Sequence, residues 1–202
     1  SAYLYGGTLG LPDRDYYILD SFKDIRDKYV MHIEKMFGFL GYEEEICKKY
    51  ANKVLAFETL MANEKMDKVD RRDPGKTYNP KSILEIKEIL PMIDWDLYLK
   101  NIGMNNVDTI IVSDLNYFNY LNKLLDKGNI EDWKIYFKWG VLNGAASMLT
   151  EEMEIANWEF YSKTLRGVQQ QKPREERAIS SINWSIGQAL GKLYVDKKFP
   201  AE

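Results

Sequence analysis

The chain has 202 residues, 45% of them apolar and 13% aromatic, which is enough for a folded globule with a sizeable core. Its 28 basic and 31 acidic side chains leave a formal net charge of −3. These charges are spread along the sequence, which disfavours a nucleic-acid binder that works by neutralising phosphates. No run approaches the roughly 20 apolar residues that span a bilayer, so we expect no membrane contact from this segment.

Two long amphipathic helices are predicted in the first third of the chain. Between Ser21 and Leu40 the apolar residues recur at steps of three and four, and Gly41 is expected to end that helix. The second stripe runs to about Met66 and begins after acidic residues that suit a helix N-terminus. Its members are Ile46, Tyr50, Val54, Phe57 and Met61.

The middle of the chain contains the only convincing strand signal. Residues 71–80 read as a loop because two prolines and a glycine interrupt them, and Ser82 is expected to cap a short helix through Leu90. Residues 109–112, Thr-Ile-Ile-Val, are β-branched and predict a strand. No equally strong candidate to pair with it occurs in the chain, which leaves open a partner outside these residues.

Further helices are predicted after the caps Asp114, Asn129 and Thr150, and a last one from Pro173 to Pro200. We find no repeat, low-complexity tract or flexible linker. The sequence therefore predicts one mostly α domain over residues 1–202, a multi-helix, bundle-like body with at most one or two short strands.

No constellation of residues predicts catalysis. Gly75-Lys76-Thr77 resembles the end of a phosphate-binding loop, but Asp70 stands where the opening glycine belongs. His32 is the only histidine, whereas thermolysin-type zinc sites need two histidines one helical turn apart. We interpret His32 as a solvent-facing or core-edge residue and Cys47 as a small core residue that cannot form an internal disulfide.

The remaining polar and aromatic groups have structural interpretations. The acidic pairs Glu151/Glu152 and Glu175/Glu176 lie at predicted helix starts, where they complement the helix dipole. The glycosylation triplet at residues 183–185 falls within a helix and is discounted. Four tryptophans are expected in the bundle core rather than around a ligand: Trp133, Trp139, Trp158 and Trp184.

Several strings resemble the neprilysin and endothelin-converting-enzyme family. Residues 10–17, Gly-Leu-Pro-Asp-Arg-Asp-Tyr-Tyr, are similar to that family's Gly-Leu-Pro-Ser-Arg-Asp-Tyr-Tyr string. Arg72-Asp73-Pro74 with Tyr78-Asn79, the helix from Trp133 to Trp139, and residues 187–195 follow in the family's order and spacing. Asp13 departs from the commoner serine, and the disulfide cysteines of animal members are missing, which favours a bacterial oligopeptidase.

The resemblance implies a two-lobed enzyme. Its catalytic lobe holds zinc through a His-Glu-x-x-His helix and a later glutamate, and a helical lobe roofs it and limits access to short peptides. This chain resembles the roof, so the zinc ligands and catalytic groups are expected before Ser1 or after Glu202. No catalytic, cofactor-binding or metal residue is assigned here, and the chain is expected to be inactive alone.

The same resemblance implies the partners and the location. The partners are the catalytic lobe of the same polypeptide and the peptide substrates. The parent is expected in the periplasm, on the cell surface or secreted, with the cytoplasm left open, and any signal or anchor is expected upstream of Ser1. The alternative is a freestanding helical module that captures a peptide or protein in an aromatic-lined groove.

Overall fold

A computed structural model describes residues 2–199. The mostly α class predicted from the sequence is confirmed. The α-helices are α1 (Asp15–Ile18), α2 (Lys23–Gly38), α3 (Glu44–Glu64), α4 (Pro74–Thr77), α5 (Ile83–Ile89), α6 (Trp95–Asn101), α7 (Leu115–Lys127), α8 (Ile130–Ala145), α9 (Glu151–Trp158) and α10 (Arg174–Lys198). The strands are β1 (Ala2–Leu4), β2 (Asn79–Ser82) and β3 (Thr109–Val112).

Short helical turns of other types join these elements. They are 3₁₀ turns at Asp20–Phe22, Asp70–Arg72 and Ala146–Met148, and a π-helix at Glu159–Thr164. The chain divides into two compact units, the first ending at Phe160 and the second starting at Tyr161. The prediction of a single domain over residues 1–202 stays a prediction.

The helix starts follow the predicted caps. The Ser82 hydroxyl accepts the Glu85 amide while the Glu85 carboxylate accepts the Ser82 amide, a complete capping box at the start of α5. Asp114, Asn129 and Thr150 each accept an amide in the first turn of α7, α8 and α9. These side chains satisfy donors that the first turn of a helix leaves unpaired.

The core of the first unit is made where α2, α3 and α8 pack together. Its largest fully buried side chain is Trp139 of α8, which contacts Tyr29 and Phe37 of α2 edge-on or tilted. Burying a large apolar side chain stabilises a fold by roughly 1.5–3 kcal/mol. The predicted core positions Trp133 and Trp139 are confirmed, and Trp158 is half-buried.

The strand prediction needs a correction. Strand β3 lies in the centre of a three-stranded sheet, parallel to β1 and antiparallel to β2, so its partners lie within the chain and the strands exceed the expected one or two. Strand β2 begins in the predicted loop and contains Pro80. An edge strand tolerates proline, which has no N–H to donate, because one side of that strand needs no partner. Strand β1 has three residues, too few to show a period.

A second group of buried side chains packs beneath the sheet. Val112 of β3, Ile86 and Leu90 around α5, Trp95 of α6 and Phe118 of α7 belong to it. The Trp95 indole nitrogen donates to the Leu90 carbonyl at 3.1 Å, so its polar edge is satisfied inside the core. The sheet is thereby fixed to the helices on the same side.

In the second unit, α10 buries none of its side chains. It bends at Ile186, whose φ of −131° and ψ of 35° are not helical. The prediction that Trp184 lies in a bundle core is wrong, because this side chain is 92% exposed. The periodic spacing of apolar residues in a sequence can predict a helix, but it cannot show whether the apolar face of that helix is covered. The predicted end at Pro200 lies outside the described residues.

Candidate functional site

His32 lies inside the core rather than in a site. Its ring stacks on Phe160 at 5.0 Å between centroids and meets Trp139 edge-on at 5.7 Å, and only 6% of the residue is exposed. Burial, with a smaller effect of Lys35, lowers the pKa of His32 from 6.5 to about 4. A neutral imidazole packed between aromatic rings agrees with the core-edge interpretation.

The other polar candidates remain apart. Cys47 is buried, its thiol donates weakly to the Tyr42 carbonyl, and burial raises its pKa. Residues 75–77 fold into the short helix α4, whose Lys76 pairs with Asp70. The acidic pairs lie exposed in the first turns of α9 and α10, as predicted. Among residues 2–199, no three His, Cys, Asp or Glu side chains are placed to hold a metal ion. These residues therefore do not fit a zinc site.

Glu58 of α3 is the group that sequence reasoning missed. It is only 2% exposed and receives three hydrogen bonds. The Gly10 amide donates to Oε1 at 3.1 Å, and the hydroxyls of Tyr17 and Tyr29 donate to Oε2 at 2.9 Å each. We call Glu58, Gly10, Tyr17 and Tyr29 the Glu58 cluster. It ties the Gly-Leu-Pro-Asp-Arg-Asp-Tyr-Tyr segment to both long helices.

Two neighbouring N–H groups determine which way the tyrosine hydroxyls of the Glu58 cluster donate. The Leu11 amide donates to the Tyr17 hydroxyl at 2.8 Å, and the Trp139 indole nitrogen donates to the Tyr29 hydroxyl at 2.9 Å. Both nitrogens can only donate, so each hydroxyl uses its own hydrogen for Glu58. Burial raises the pKa of Glu58 from 4.5 to about 7, and the three hydrogen bonds oppose that rise.

The glycine at position 10 is required by this geometry. A Cβ at Gly10 would lie 1.7 Å from the Tyr29 hydroxyl oxygen and 3.1 Å from Glu58 Oε1. Only a residue without a side chain lets the backbone come so close to the carboxyl. Further along the same segment, the buried Asp13 forms an ion pair with the exposed Arg71 and accepts the Asp15 amide at 3.3 Å. Asp13 thus both accepts an amide at the start of α1 and pairs with a cation.

An open cavity of about 460 Å³ lies beside the segment that the Glu58 cluster holds. We call it the aromatic cavity. Its lining includes Gly6 and four tyrosines, of which Tyr3, Tyr5 and Tyr78 are exposed and Tyr117 is buried. The rings of Tyr3 and Tyr5 stack at 5.7 Å. Such a surface can take up apolar or aromatic side chains.

The cations at the aromatic cavity are already engaged. The Lys65 ammonium donates to the carbonyls of Gly6 and Gly7 and lies 4.6 Å above the Tyr117 ring. Arg71 pairs with Asp13. A neighbouring, more polar groove of about 800 Å³ is lined by side chains of both charges.

Comparison with known proteins identifies the relationship. The profile for the N-terminal part of peptidase family M13 matches residues 1–202. The chain belongs to peptidase family M13. The predicted kinship with neprilysin and endothelin-converting enzymes, which are zinc metallopeptidases, is therefore confirmed.

The relatives show how much of such a protein the chain represents. It is 26% identical over 199 residues to endothelin-converting enzyme 1 of Homo sapiens, covering 95% of this chain and 26% of that protein. It is 25% identical over 206 residues to neprilysin-11 of Caenorhabditis elegans, and this match covers 95% of this chain and 24% of that protein. The chain thus spans about a quarter of the length of these relatives.

In a similar solved structure, the chain also matches only a minor part of the protein. The zinc metalloprotease Zmp1 of Mycobacterium tuberculosis in its open state superimposes with a TM-score of 0.90 at 31% identity, covering 96% of this chain and 30% of that one. A partial open state of the same protein gives 0.82 at 29% identity. Within residues 2–199, no helix has the length and hydropathy needed to cross a membrane.

Proposed function

We propose that this chain is the noncatalytic cap lobe of a zinc metalloendopeptidase and that it restricts which substrates reach the catalytic lobe. The observation that carries the proposal is the family match over the whole chain, which spans only about a quarter of its relatives. The described residues also offer no set of metal ligands. The chemistry is therefore assigned to the rest of the polypeptide.

The packing of the first unit suits a steric role. Trp139, Tyr29 and Glu58 join α2, α3 and α8 through buried contacts and hydrogen bonds, which makes a stiff wall. A stiff wall excludes folded substrates and shields the reaction from bulk water. Zmp1, a relative, has been solved in an open and in a partial open state.

The partners follow from the same proposal. The exposed apolar side chains of α10, among them Trp184 and Leu193, suit a contact with the remainder of the polypeptide. Peptide substrates would meet the lobe through surfaces such as the aromatic cavity. We propose an extracytoplasmic location for the parent, with a cytoplasmic peptidase as the alternative.

The test uses the full-length parent and nested peptides that share one cleavable sequence but differ in length. We expect kcat/KM to fall sharply beyond a limiting length and EDTA to abolish every cleavage. An unspecific protease acting on the same peptides is the control for substrate accessibility. Equal cleavage of the shortest peptide and of a long unfolded polypeptide would contradict a restricting lobe.

A second candidate is a freestanding peptide-binding module, which the aromatic cavity favours. The two readings differ in how the cavity is used. A freestanding module would bind peptides when purified alone, and replacing both Tyr3 and Tyr5 with alanine would weaken that binding. Isothermal titration of the chain with the parent's own substrate peptides separates them, since a cap lobe without its catalytic half is expected to bind them only weakly.

A further inference from the structure

The helix α8 carries apolar side chains on two opposite faces. One face is buried in the core of the first unit through Trp139. On the opposite face, Ile130, Phe137 and Val141 follow one another at steps of seven and four residues, and Met148 continues the series in the next turn. These four side chains are between 60% and 83% exposed. We call them the α8 stripe.

The α8 stripe differs from a face that is built for water. The outward side of α2 carries the ion pairs Lys23–Asp27 and Lys28–Asp24, as a solvated helix face normally does. A helix with apolar residues on opposite sides is instead typical of the interior of a larger protein. The stripe is therefore a candidate for burial by a partner.

Two exposed glycines next to Val141 support a close contact at this face. Gly140 and Gly144 lie one helical turn apart in α8. A Cβ at either position would meet nothing within 4 Å, so the packing of the described residues does not require glycine there. Glycine in a helix interior is destabilising relative to alanine, and it is used where another group must approach the backbone closely. A closely packed partner would supply that reason.

The charges beside the α8 stripe are already engaged. Lys134 pairs with Glu131 at 2.7 Å, and Lys138 donates to the Tyr42 hydroxyl. The aromatic cavity and the neighbouring polar groove are lined by residues of other elements. The protruding side chains of the stripe therefore suit a broad apolar contact better than a charged ligand or a single side chain of a peptide.

We propose that the α8 stripe is covered, in the parent protein, by an apolar element of the polypeptide outside residues 1–202. The matched region makes up only 26% of endothelin-converting enzyme 1 and 30% of Zmp1, so most of such a protein is available to cover this face. A tethered partner is held at a high effective concentration, which lets a modest apolar face bind it stably. The inference concerns the first unit alone, and it rests on the proposed function in taking the chain as part of a longer peptidase.

The test measures how fast a thiol on the α8 stripe reacts. Val141→Cys is made in the isolated chain and in the full-length parent, and its labelling by a maleimide is followed by mass spectrometry. Lys49→Cys, at an exposed position of α3 in the same unit, is the control. We expect Val141→Cys to react about tenfold more slowly in the parent than in the isolated chain, because a covered thiol reacts only when its cover opens. Lys49→Cys should react at the same rate in both proteins.

The proposal is overturned if Val141→Cys reacts equally fast in both proteins, or if Lys49→Cys is slowed as much. Slow labelling in the isolated chain that becomes slower as the protein concentration rises would assign the stripe to a second copy of the chain. Slow labelling that requires an added substrate peptide would assign it to the substrate, and either result also overturns the proposal.

Cleavage of the nested peptides by the same parent samples keeps this inference apart from the proposed function. Cleavage limited by peptide length, together with freely reactive Val141→Cys, would contradict the covered stripe alone. Cleavage that does not depend on length, together with slow labelling, would contradict the restricting lobe alone.

Discussion

His32 and Glu58 are expected to make opposite contributions to stability as the pH changes. The folded pKa of His32 is lowered to about 4, so its contribution is present above pH 6.5 and is lost as the pH falls towards 4. The folded pKa of Glu58 is raised to about 7, so its contribution is present below pH 4.5 and is lost as the pH rises through 7. The pH ranges over which the two contributions change almost coincide.

The expected magnitudes follow from these values. One pH unit between folded and unfolded pKa corresponds to about 1.4 kcal/mol, so each group changes the free energy of unfolding by about 3 kcal/mol across its window. In the wild type the two changes largely cancel. Replacing Glu58 with glutamine removes one of them, and the variant should become more stable relative to the wild type as the pH rises from about 4.5 to about 7. Replacing His32 with asparagine should make the variant more stable relative to the wild type as the pH falls from about 6.5 to about 4.

Urea unfolding of the chain, followed by tryptophan fluorescence at several pH values, measures these profiles. Trp139 contacts the His32 ring directly and is linked to Glu58 through the Tyr29 hydroxyl. The difference between variant and wild type isolates the group removed, and any constant loss from altered packing does not affect its slope. Glu64→Gln serves as the control and should reproduce the wild-type profile. A difference profile for Glu58→Gln that is flat, or that slopes downward with pH, would refute the assigned ionisation.

Further predictions concern packing. Gly10→Ala should lower the free energy of unfolding by more than about 2 kcal/mol, because the new Cβ would overlap the Tyr29 hydroxyl. Gly7→Ala is the control, since open space surrounds Gly7, and it should change this free energy by less than about 0.5 kcal/mol. A urea titration measures both. Trp139→Ala should lower the free energy of unfolding by about 3–5 kcal/mol because Trp139 is buried, whereas Trp184→Ala should lower it by less than about 0.5 kcal/mol. Similar losses for the two variants would contradict the assigned burial. Finally, the exposed apolar side chains of α10 should cause concentration-dependent association, and a strict monomer in sedimentation experiments would argue against it.

Much of the fold could be predicted because the local signals are strong. The caps Ser82, Asp114 and Asn129 satisfy amides within their own helix, so the sequence alone reveals them. The sheet could not be predicted in the same way. Strand β1 and the proline-containing strand β2 have no period of their own and are strands only because β3 supplies their hydrogen bonds.

The Glu58 cluster shows the other limit of sequence reasoning. One signal was present, because Glu58 lies four residues after Val54 and three before Met61 and therefore falls on the buried stripe of α3. Its partners, however, come from Gly10, Tyr17 and Tyr29, between 29 and 48 residues away along the chain. No local pattern connects them, and only the packed structure brings them to one carboxyl.

The proposed cap-lobe function predicts that the catalytic chemistry resides in the rest of the polypeptide. Zinc content and peptide hydrolysis, measured together on the purified chain and on its full-length parent, test this most directly. We expect stoichiometric zinc and EDTA-sensitive cleavage in the parent, and neither in the chain. Stoichiometric zinc in the chain, together with EDTA-sensitive hydrolysis of a peptide, would contradict the account.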